Sequence, residues 1–172
     1  MKQTLYLLRH AEAESWNPLG NDFSRPLSTA GNQHAKLVSG WAFETLSPPD
    51  TILCSPAKRT RETLAPFLSH WRRLLATTDY IDSMYGASLN MFLTLAGDAF
   101  SFSDCLFMVG HNPGIEHMLS NQVAANGQET TLRMAPGSMA VIEFPGGFKS
   151  HSNEGRLSHF VGPERFQSIE ER

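Results

Sequence analysis

Short apolar runs alternate with helix-like segments along nearly the whole chain, and this alternation limits the possible folds more than any other feature. The runs lie at about residues 4–8, 51–54, 105–109 and 138–144, and the more polar stretches 77–81 and 157–161 are candidates for further strands. Apolar runs of about four to eight residues are typical of strands buried on both faces. Because strands separated by helices favour a parallel sheet, the sequence predicts an α/β fold, a three-layer α/β/α sandwich with a mainly parallel central sheet.

Four segments between these runs are predicted to be helices, at about residues 29–43, 56–70, 88–100 and 115–125. Ser28 is suited to N-cap the first helix, whose predicted apolar face comprises Ala30, His34, Leu37, Val38 and Trp41. Ser55 is suited to N-cap the second helix, within which Pro66 is expected to cause a kink or an early end.

Size and composition indicate a single domain over residues 1–172. Of the 172 residues, 41% are hydrophobic and 18% are charged, which suits one core and argues against long disorder. There is no internal repeat and no domain linker, and only the polar tail at about 163–172 is expected to be loose.

The formal net charge of -3 provides no overall basic field. We therefore expect no nucleic-acid partner and no attachment to an anionic membrane. No apolar stretch is long enough for a membrane span, and the one at the N-terminus is too short for a signal peptide. Cys54 and Cys105 lie in apolar runs and are expected to be reduced core residues, which indicates a cytoplasmic protein.

Polar side chains follow three of the predicted strands at the points where the strands end. Arg9 and His10 end the first strand, Ser55 to Arg59 follow the second, and Gly110 and His111 end the run CLFMV. In open α/β sheets, ligands bind beyond the carboxyl ends of the strands. The sequence therefore predicts that these groups meet at one edge of the sheet.

Each of these side chains also has a purely structural interpretation. A single strand-end histidine such as His10 is often no more than a hydrogen-bonded residue, but with Arg9 beside it an anionic partner is expected. Arg59 is either a solvated helix residue or a residue that faces the site. His111 is either a loop histidine or an anion ligand at a helix N-terminus, and Arg25 either pairs with Asp22 or folds over the pocket as a clamp.

Arginines and imidazoles gathered at one sheet edge suit a phosphoryl group, whose several charged oxygens match forked guanidinium donors. A neutral imidazole can attack phosphorus, and burial together with Arg9 and Arg59 is expected to lower the pKa of His10 and keep it neutral. His111 is expected to be protonated and to donate to a phosphoryl oxygen. A metal site built from histidines is disfavoured, because the neighbouring arginines would repel a cation.

Four motifs resemble those of the histidine phosphatase superfamily, which has the phosphoglycerate mutase-like fold. They are Leu-Arg-His-Ala at 8–11, Asp-x-x-Arg-Pro-Leu-Ser-x-x-Gly at 22–31, Ser-Pro-Ala-x-Arg-Thr-x-x-Thr at 55–63 and Val-Gly-His-Asn-Pro-Gly at 109–114. Their order and detail are most similar to the small SixA-type phosphohistidine phosphatases. The resemblance covers residues 4 to about 144 and implies a domain without a large cap subdomain, since the stretch between Arg59 and His111 is too short to hold one.

The resemblance also implies roles for individual residues. His10 would be the phosphorylated nucleophile, Arg9, Arg59 and His111 would surround the phosphoryl group, and Arg25 would be an added clamp. No metal and no organic cofactor is implied.

Further positions are less closely matched to the family pattern. Asn17 and Asn112 are candidate substrate-binding residues. Ala11 replaces the usual glycine of the first motif. Larger relatives carry an acidic residue that protonates the leaving group, and Asp82 is the nearest candidate for that general acid; Glu12 and Glu14 are alternatives, more readily interpreted as solvated loop residues.

An uncapped and therefore shallow pocket suits a phosphate displayed on a protein surface, so we expect the partner to be phosphohistidine on a phosphotransfer-type domain. Two alternatives remain open. A broad-specificity small-molecule phosphomonoesterase would use the same residues, and an inactive phosphate-sensing binding module would keep the pocket without turnover.

Overall fold

A six-stranded sheet forms the centre of the protein in a computed structural model that describes residues 2–16, 20–123, 132–152 and 154–167. The strands are β1 (Gln3–Arg9), β2 (Thr51–Cys54), β3 (Thr78–Tyr80), β4 (Cys105–Gly110), β5 (Met139–Phe144) and β6 (Arg156–Val161). Their order in the sheet is β3-β2-β4-β1-β5-β6. The first four in this order are mutually parallel, whereas β5 and β6 are antiparallel to their neighbours, so the prediction of a mainly parallel sheet is confirmed.

Helices cover both faces of this sheet and complete the predicted three layers. They are α1 (Thr29–Thr45), α2 (Lys58–His70), α3 (Leu89–Phe100), α4 (Gly114–Val123) and the short α5 (Glu164–Gln167). Alternate residues of β1 point into two core clusters. Leu5 and Leu7 pack in the cluster of α3 and α4, and Tyr6 and Leu8 pack in that of α1 and α2.

Two local predictions are wrong, those of the buried face of α1 and of the tail, and one of the two alternatives for Pro66 is excluded. The buried face of α1 is Gly31, Ala35, Val38, Ser39 and Ala42, so the predicted apolar face was displaced by about one position and shares only Val38 with it. Pro66 lies inside α2, which continues to His70, the predicted end of the helix, so Pro66 does not end it early. The kink stays a prediction. The tail begins with α5, whose Phe166 is only 8% exposed and packs in the cluster of α1 and α2.

The segment between α2 and β4 contains only two 3-10 helices (Arg72–Thr77 and Asp82–Met84), β3 and α3. This stretch is described throughout and holds no cap subdomain, as predicted. Over the described ranges, no helix is both long enough and apolar enough to cross a membrane.

Candidate active site

The carboxyl ends of the three central parallel strands bring the predicted residues together. His10 follows β1 and its N–H donates to Gly110 O at the end of β4 (3.0 Å). Ser55 follows β2 and its N–H donates to Val109 O of β4 (3.0 Å). Because these strands run parallel and in register, Arg9, His10, Ser55 and His111 leave the same edge of the sheet.

His10 is oriented so that one ring nitrogen is used by the protein and the other is left for chemistry. Its Nδ1 lies 2.7 Å from Ala11 O, and because a carbonyl oxygen only accepts, Nδ1 carries the proton and Nε2 keeps its lone pair. Burial lowers the pKa of His10 to about 4, an effect opposed by the Ala11 hydrogen bond and reinforced by the charges of Arg59, Arg9 and Arg25. The expectation of a neutral His10 is therefore confirmed.

His111 lies next to His10, with 5.2 Å between the ring centroids. Its Nε2 is 2.7 Å from Ser55 Oγ, so Ser55 supports the imidazole and does not cap α2, whose N-cap is Ala57. Burial and the neighbouring His10 and Arg59 lower the pKa of His111 to about 3. Without a bound anion His111 is therefore neutral, because a buried imidazole beside cationic groups favours its neutral form. The protonated state in which it donates to a phosphoryl oxygen stays a prediction.

Arg59 is buried, with 6% of its side chain exposed. Its Nη1 donates to Asp22 O (2.7 Å) and its Nη2 to Asp22 Oδ2 (3.1 Å). The neighbouring Lys58 is 53% exposed, and Arg61 instead stacks over the ring of Tyr80 at 4.4 Å. Of the three basic residues that begin α2, Arg59 is therefore the one that turns inward toward the site.

Arg9 is held from the opposite side of the pocket. Its Nη1 donates to Met134 O (2.6 Å), and burial lowers the pKa of its guanidinium while the Glu116 carboxylate opposes that shift. Asn112 Nδ2 donates to Glu116 Oε2 (2.8 Å) and also to Met134 O (3.3 Å). The amide nitrogen of Asn112 is thus used within the protein, to fasten the turn after β4 to Glu116.

Arg25 pairs with Asp22, which was one of its two predicted alternatives. Its Nη2 lies 3.0 Å and its Nε 3.1 Å from Asp22 Oδ1, and its Nη1 donates to Glu14 O (3.1 Å). Tyr85 O–H donates to the other carboxylate oxygen of Asp22 at 2.7 Å. Asp22 therefore forms ion pairs with both Arg25 and Arg59.

Arg9, Arg59 and His111 each have one buried side-chain nitrogen that the described part of the protein leaves unused. Arg9 Nε, Arg59 Nε and His111 Nδ1 have no hydrogen-bonding partner among the described residues. Buried polar atoms are nearly always satisfied, so such a group of three requires an explanation. The charges of Arg9 and Arg59 would attract a tetrahedral oxyanion beside His10, and the arrangement suits phosphoryl binding next to a free imidazole nitrogen.

Comparison with known proteins agrees with this geometry. The family model of the histidine phosphatase superfamily (branch 1) matches residues 5–84. Two solved SixA structures superpose over most of the chain. The one from Agrobacterium tumefaciens is 29% identical with a TM-score of 0.81 and covers 94% of this chain and 99% of its own. The one from Nakamurella multipartitia is 27% identical with a TM-score of 0.79 and covers 95% and 97%.

The chain is thus similar to the histidine phosphatase superfamily in sequence over residues 5–84. Its fold is of the SixA type. Among curated relatives, an uncharacterized protein of Mycobacterium tuberculosis is 31% identical over 106 residues, which is 62% of this chain and 63% of that protein. The aligned part of the chain thus spans a little under two thirds of that relative.

Two residues of the superfamily motifs have a clear structural use in this chain. Ala11 N–H donates to Thr63 Oγ1 (3.0 Å), which in turn donates to Arg59 O (2.7 Å), so the last residue of the third motif links the loop after His10 to α2. Gly31 lies in the first turn of α1, and a Cβ at this position would collide with the carbonyl oxygen of Glu12. Only glycine permits that close approach.

Two sequence-based candidates do not join the site in the described residues. Asp82 is exposed on its 3-10 turn, and within the described ranges its side chain forms no hydrogen bond or ion pair. It follows Ile81 directly after β3, at the sheet edge, while Tyr85 of the same segment reaches the pocket. Asn17 lies outside the described residues.

Asp22 and Tyr85 are the residues that sequence analysis missed. Asp22 was considered only as a surface partner of Arg25, although it is also a fixed position of the second motif. Tyr85 gave no signal, because an aromatic residue after a short edge strand is common in any α/β protein. Its ring lies edge-on to His111 at 5.5 Å and 5.8 Å from the Arg59 guanidinium carbon.

The site is poorly suited to a metal ion. Within the part of the chain that the structure describes, no three His, Cys, Asp or Glu side chains lie close enough together to hold one. The guanidinium groups of Arg9 and Arg59 beside the two histidines favour anions and repel cations.

Proposed function

We propose that the protein is a cofactor-independent phosphatase that forms a phosphohistidine on His10 and removes phosphate from phosphohistidine carried by a partner protein. One observation carries the proposal: the free Nε2 of a neutral, partly buried His10 lies beside His111 and in the field of Arg59, Arg9 and Arg25. A nucleophile beside a set of oxyanion donors is the minimal arrangement for transfer of a phosphoryl group.

The reaction would proceed in two steps. His10 Nε2 forms a bond to phosphorus while the bond to the leaving group breaks, and the leaving nitrogen takes up a proton. Water then attacks the phosphohistidine, giving inorganic phosphate and restoring the imidazole of His10. Arg9 and Arg59 would stabilise the charge on the phosphoryl oxygens in both steps, since phosphoryl transfer depends mostly on positioning and electrostatic stabilisation.

The pKa shifts fit this sequence of events. A His10 pKa of about 4 keeps the nucleophile unprotonated at neutral pH. His111 is neutral before an anion arrives, and a phosphoryl dianion beside it would raise its pKa, so that it gains a proton when it donates to the bound group.

Two features favour a nitrogen leaving group on a protein over a small phosphate ester. The carboxylate in the site, Asp22, has a lowered pKa because Tyr85 O–H donates to it and both arginines lie beside it, so it is a poor proton donor. A phosphorylated imidazole needs such a donor less, because its own nitrogen takes up the proton. In addition, Phe23 and Tyr85 stack edge-on at 5.3 Å beside the pocket and remain 38% and 40% exposed, and exposed aromatic residues are common in protein contacts.

The names of the solved relatives point the same way. SixA from Agrobacterium tumefaciens, at 29% identity, is provisionally named a phosphohistidine phosphatase. The name supports the substrate class for this chain, and identification of the partner protein requires experiment.

The test compares substrates and variants in parallel. The purified protein is incubated with a phosphohistidine-bearing phosphotransfer domain, with phosphoglycerate and with p-nitrophenyl phosphate, and kcat/KM is measured for each. We expect the phosphohistidine protein to be the best substrate, His10→Ala to lose turnover, and His70→Ala, which removes an exposed histidine stacked on Phe43, to retain it.

The other outcomes identify the alternatives. A clear preference for a small ester would indicate a small-molecule phosphomonoesterase on the same scaffold. Absence of turnover in the wild-type protein, together with tight phosphate binding, would indicate a phosphate-sensing module. Equal activity of His10→Ala and wild type would end the proposal of a histidine nucleophile.

A further inference from the structure

Asp22 has more charged contacts than any role as a surface residue requires. Its carboxylate accepts from Arg25 through Oδ1 and from Arg59 and Tyr85 through Oδ2, and its main-chain oxygen accepts from Arg59 as well. We propose that Asp22 is a positioning residue that holds Arg25 and Arg59 in the orientation in which they receive the phosphoryl group, with Tyr85 holding Asp22. This inference rests on the proposed function, because it assumes that these arginines bind phosphate.

The way Asp22 contacts Arg59 leaves donors of that arginine available. A guanidinium group has five N–H donors in a planar fork. Asp22 takes one from Nη1 and one from Nη2, while Nε has no partner among the described residues. The contact therefore fixes the plane of the guanidinium without using up the donors that a phosphoryl group needs.

Asp22 is itself fixed by the local backbone. It begins a 3-10 helix (Asp22–Ser24) whose N-cap Asn21 accepts from Phe23 N through its side chain (2.9 Å). Arg25 N–H donates back to Asp22 O (3.2 Å), the same oxygen that accepts from Arg59. A carboxylate on such a short, capped turn is a rigid support for two long arginine side chains, which otherwise have many rotamers to lose on binding.

The charge state of Asp22 agrees with a supporting role. The hydrogen bond from Tyr85 is the largest cause of its lowered pKa, and Arg59 and Arg25 add to it. Asp22 is therefore ionised at neutral pH and accepts hydrogen bonds. It does not supply the proton for the leaving group, which distinguishes this role from that of a general acid.

A competing explanation predicts the opposite sign. If the carboxylate occupied the place of the phosphoryl group and had to be displaced, its removal would strengthen anion binding. The contact of Arg59 with the main-chain oxygen of Asp22 argues against displacement, because that oxygen stays in place as long as the turn does. Arg59 also keeps N–H donors on Nη1 and Nη2 that Asp22 does not occupy.

The experiment measures orthovanadate binding by titration calorimetry, which does not depend on turnover. We expect Asp22→Ala to weaken vanadate binding by about tenfold or more, the effect of losing charge-assisted contacts that preorganise two arginines. Both variants keep the main-chain contact with Arg59, and Asp22→Asn also keeps one side-chain acceptor, so it should recover part of the loss. Tyr85→Phe should weaken binding in the same direction by a smaller factor.

Two controls separate positioning from mere stability. Asp98→Asn removes the same charge from an exposed position of α3 and should leave vanadate binding unchanged. Thermal melting of each variant establishes that the fold is intact, and Tyr85→Phe keeps the test decisive if Asp22→Ala does not fold. Unchanged or tighter vanadate binding in folded Asp22 and Tyr85 variants would overturn the inference.

Failure of this inference and failure of the proposed function give different results. If vanadate binding depends on Asp22 but His10→Ala still turns over substrate, the histidine nucleophile is wrong and the positioning role stands. If His10→Ala is inactive and vanadate binding ignores Asp22, the function stands and the positioning role is wrong.

Discussion

Replacing Arg59 by alanine should remove the most deeply buried cation of the site with little effect on the fold. Its guanidinium is 6% exposed and has a free Nε donor. Loss of one preorganised donor in a buried site typically lowers kcat by about 10²- to 10³-fold, or about 2.7–4 kcal/mol of transition-state stabilisation. Asp22 keeps its contacts with Arg25 and Tyr85 and its side chain is 35% exposed, so we expect no collapse of the loop.

The matched control is Arg61→Ala, which removes the same charge from the same helix. Arg61 stacks over Tyr80 and does not turn toward the pocket, so its loss should change kcat by less than about twofold, as expected for a surface substitution. Arg59→Lys should recover only part of the rate, because a point charge cannot reproduce the planar fork. The assay is single-turnover release of phosphate from the phosphohistidine protein, with melting temperatures measured in parallel. If Arg59→Ala and Arg61→Ala lose equal activity, the inward orientation of Arg59 has no catalytic meaning.

Three further predictions concern pH, metal and packing. In the folded protein the pKa values of His10 and His111 are lowered to about 4 and about 3, below the unfolded value of about 6.5. As pH falls below about 6.5 the unfolded chain takes up protons that the folded protein does not, so the melting temperature should fall between pH 7 and pH 4. A melting temperature that does not change over this range would contradict the neutral state assigned to both histidines. Treatment with EDTA should leave turnover unchanged, because arginines flank both histidines, and a loss restored by added metal would refute that reasoning. Gly31→Ala should lower the free energy of unfolding by about 1–3 kcal/mol in chemical denaturation. Gly40→Ala adds a Cβ in the same helix where the space is open, so it should be neutral or stabilising. Equal effects of the two substitutions would show that the close approach to Glu12 is unimportant.

The α/β fold and the meeting of the strand-end residues at one sheet edge could be predicted from the sequence, because both depend on short-range patterns. Apolar runs such as CLFMV identify buried strands, and parallel strands necessarily bring Arg9, His10 and His111 to one edge. The buried face of α1 was misplaced because helical periodicity alone does not fix which stripe faces the sheet: Leu37 lies 38% exposed while the smaller Ala35 and Ala42 pack inward.

Contacts between distant segments were out of reach of this reasoning. The neighbouring residues in the sequence suggest that Ser55 caps a helix. Only the fold shows that its hydroxyl, at the end of β2, contacts His111 at the end of β4. The pairing of Asp22 with Arg59 and Tyr85 joins a loop, a helix and a 3-10 turn separated by 37 and 63 residues. The neutral state of His111 before an anion binds was out of reach for a related reason, since its pKa depends on its burial and on the cations that the whole fold assembles around it.

The central claim, that His10 carries the phosphoryl group during turnover, is tested most directly by trapping. The protein is mixed with a phosphohistidine-labelled partner for milliseconds, quenched at alkaline pH where phosphohistidine survives, and mapped by mass spectrometry. The geometry of the free Nε2 predicts the phosphate on His10 at that nitrogen, and its disappearance in His10→Ala. Label on another side chain of this protein, or steady release of phosphate by His10→Ala at the wild-type rate, would contradict the account.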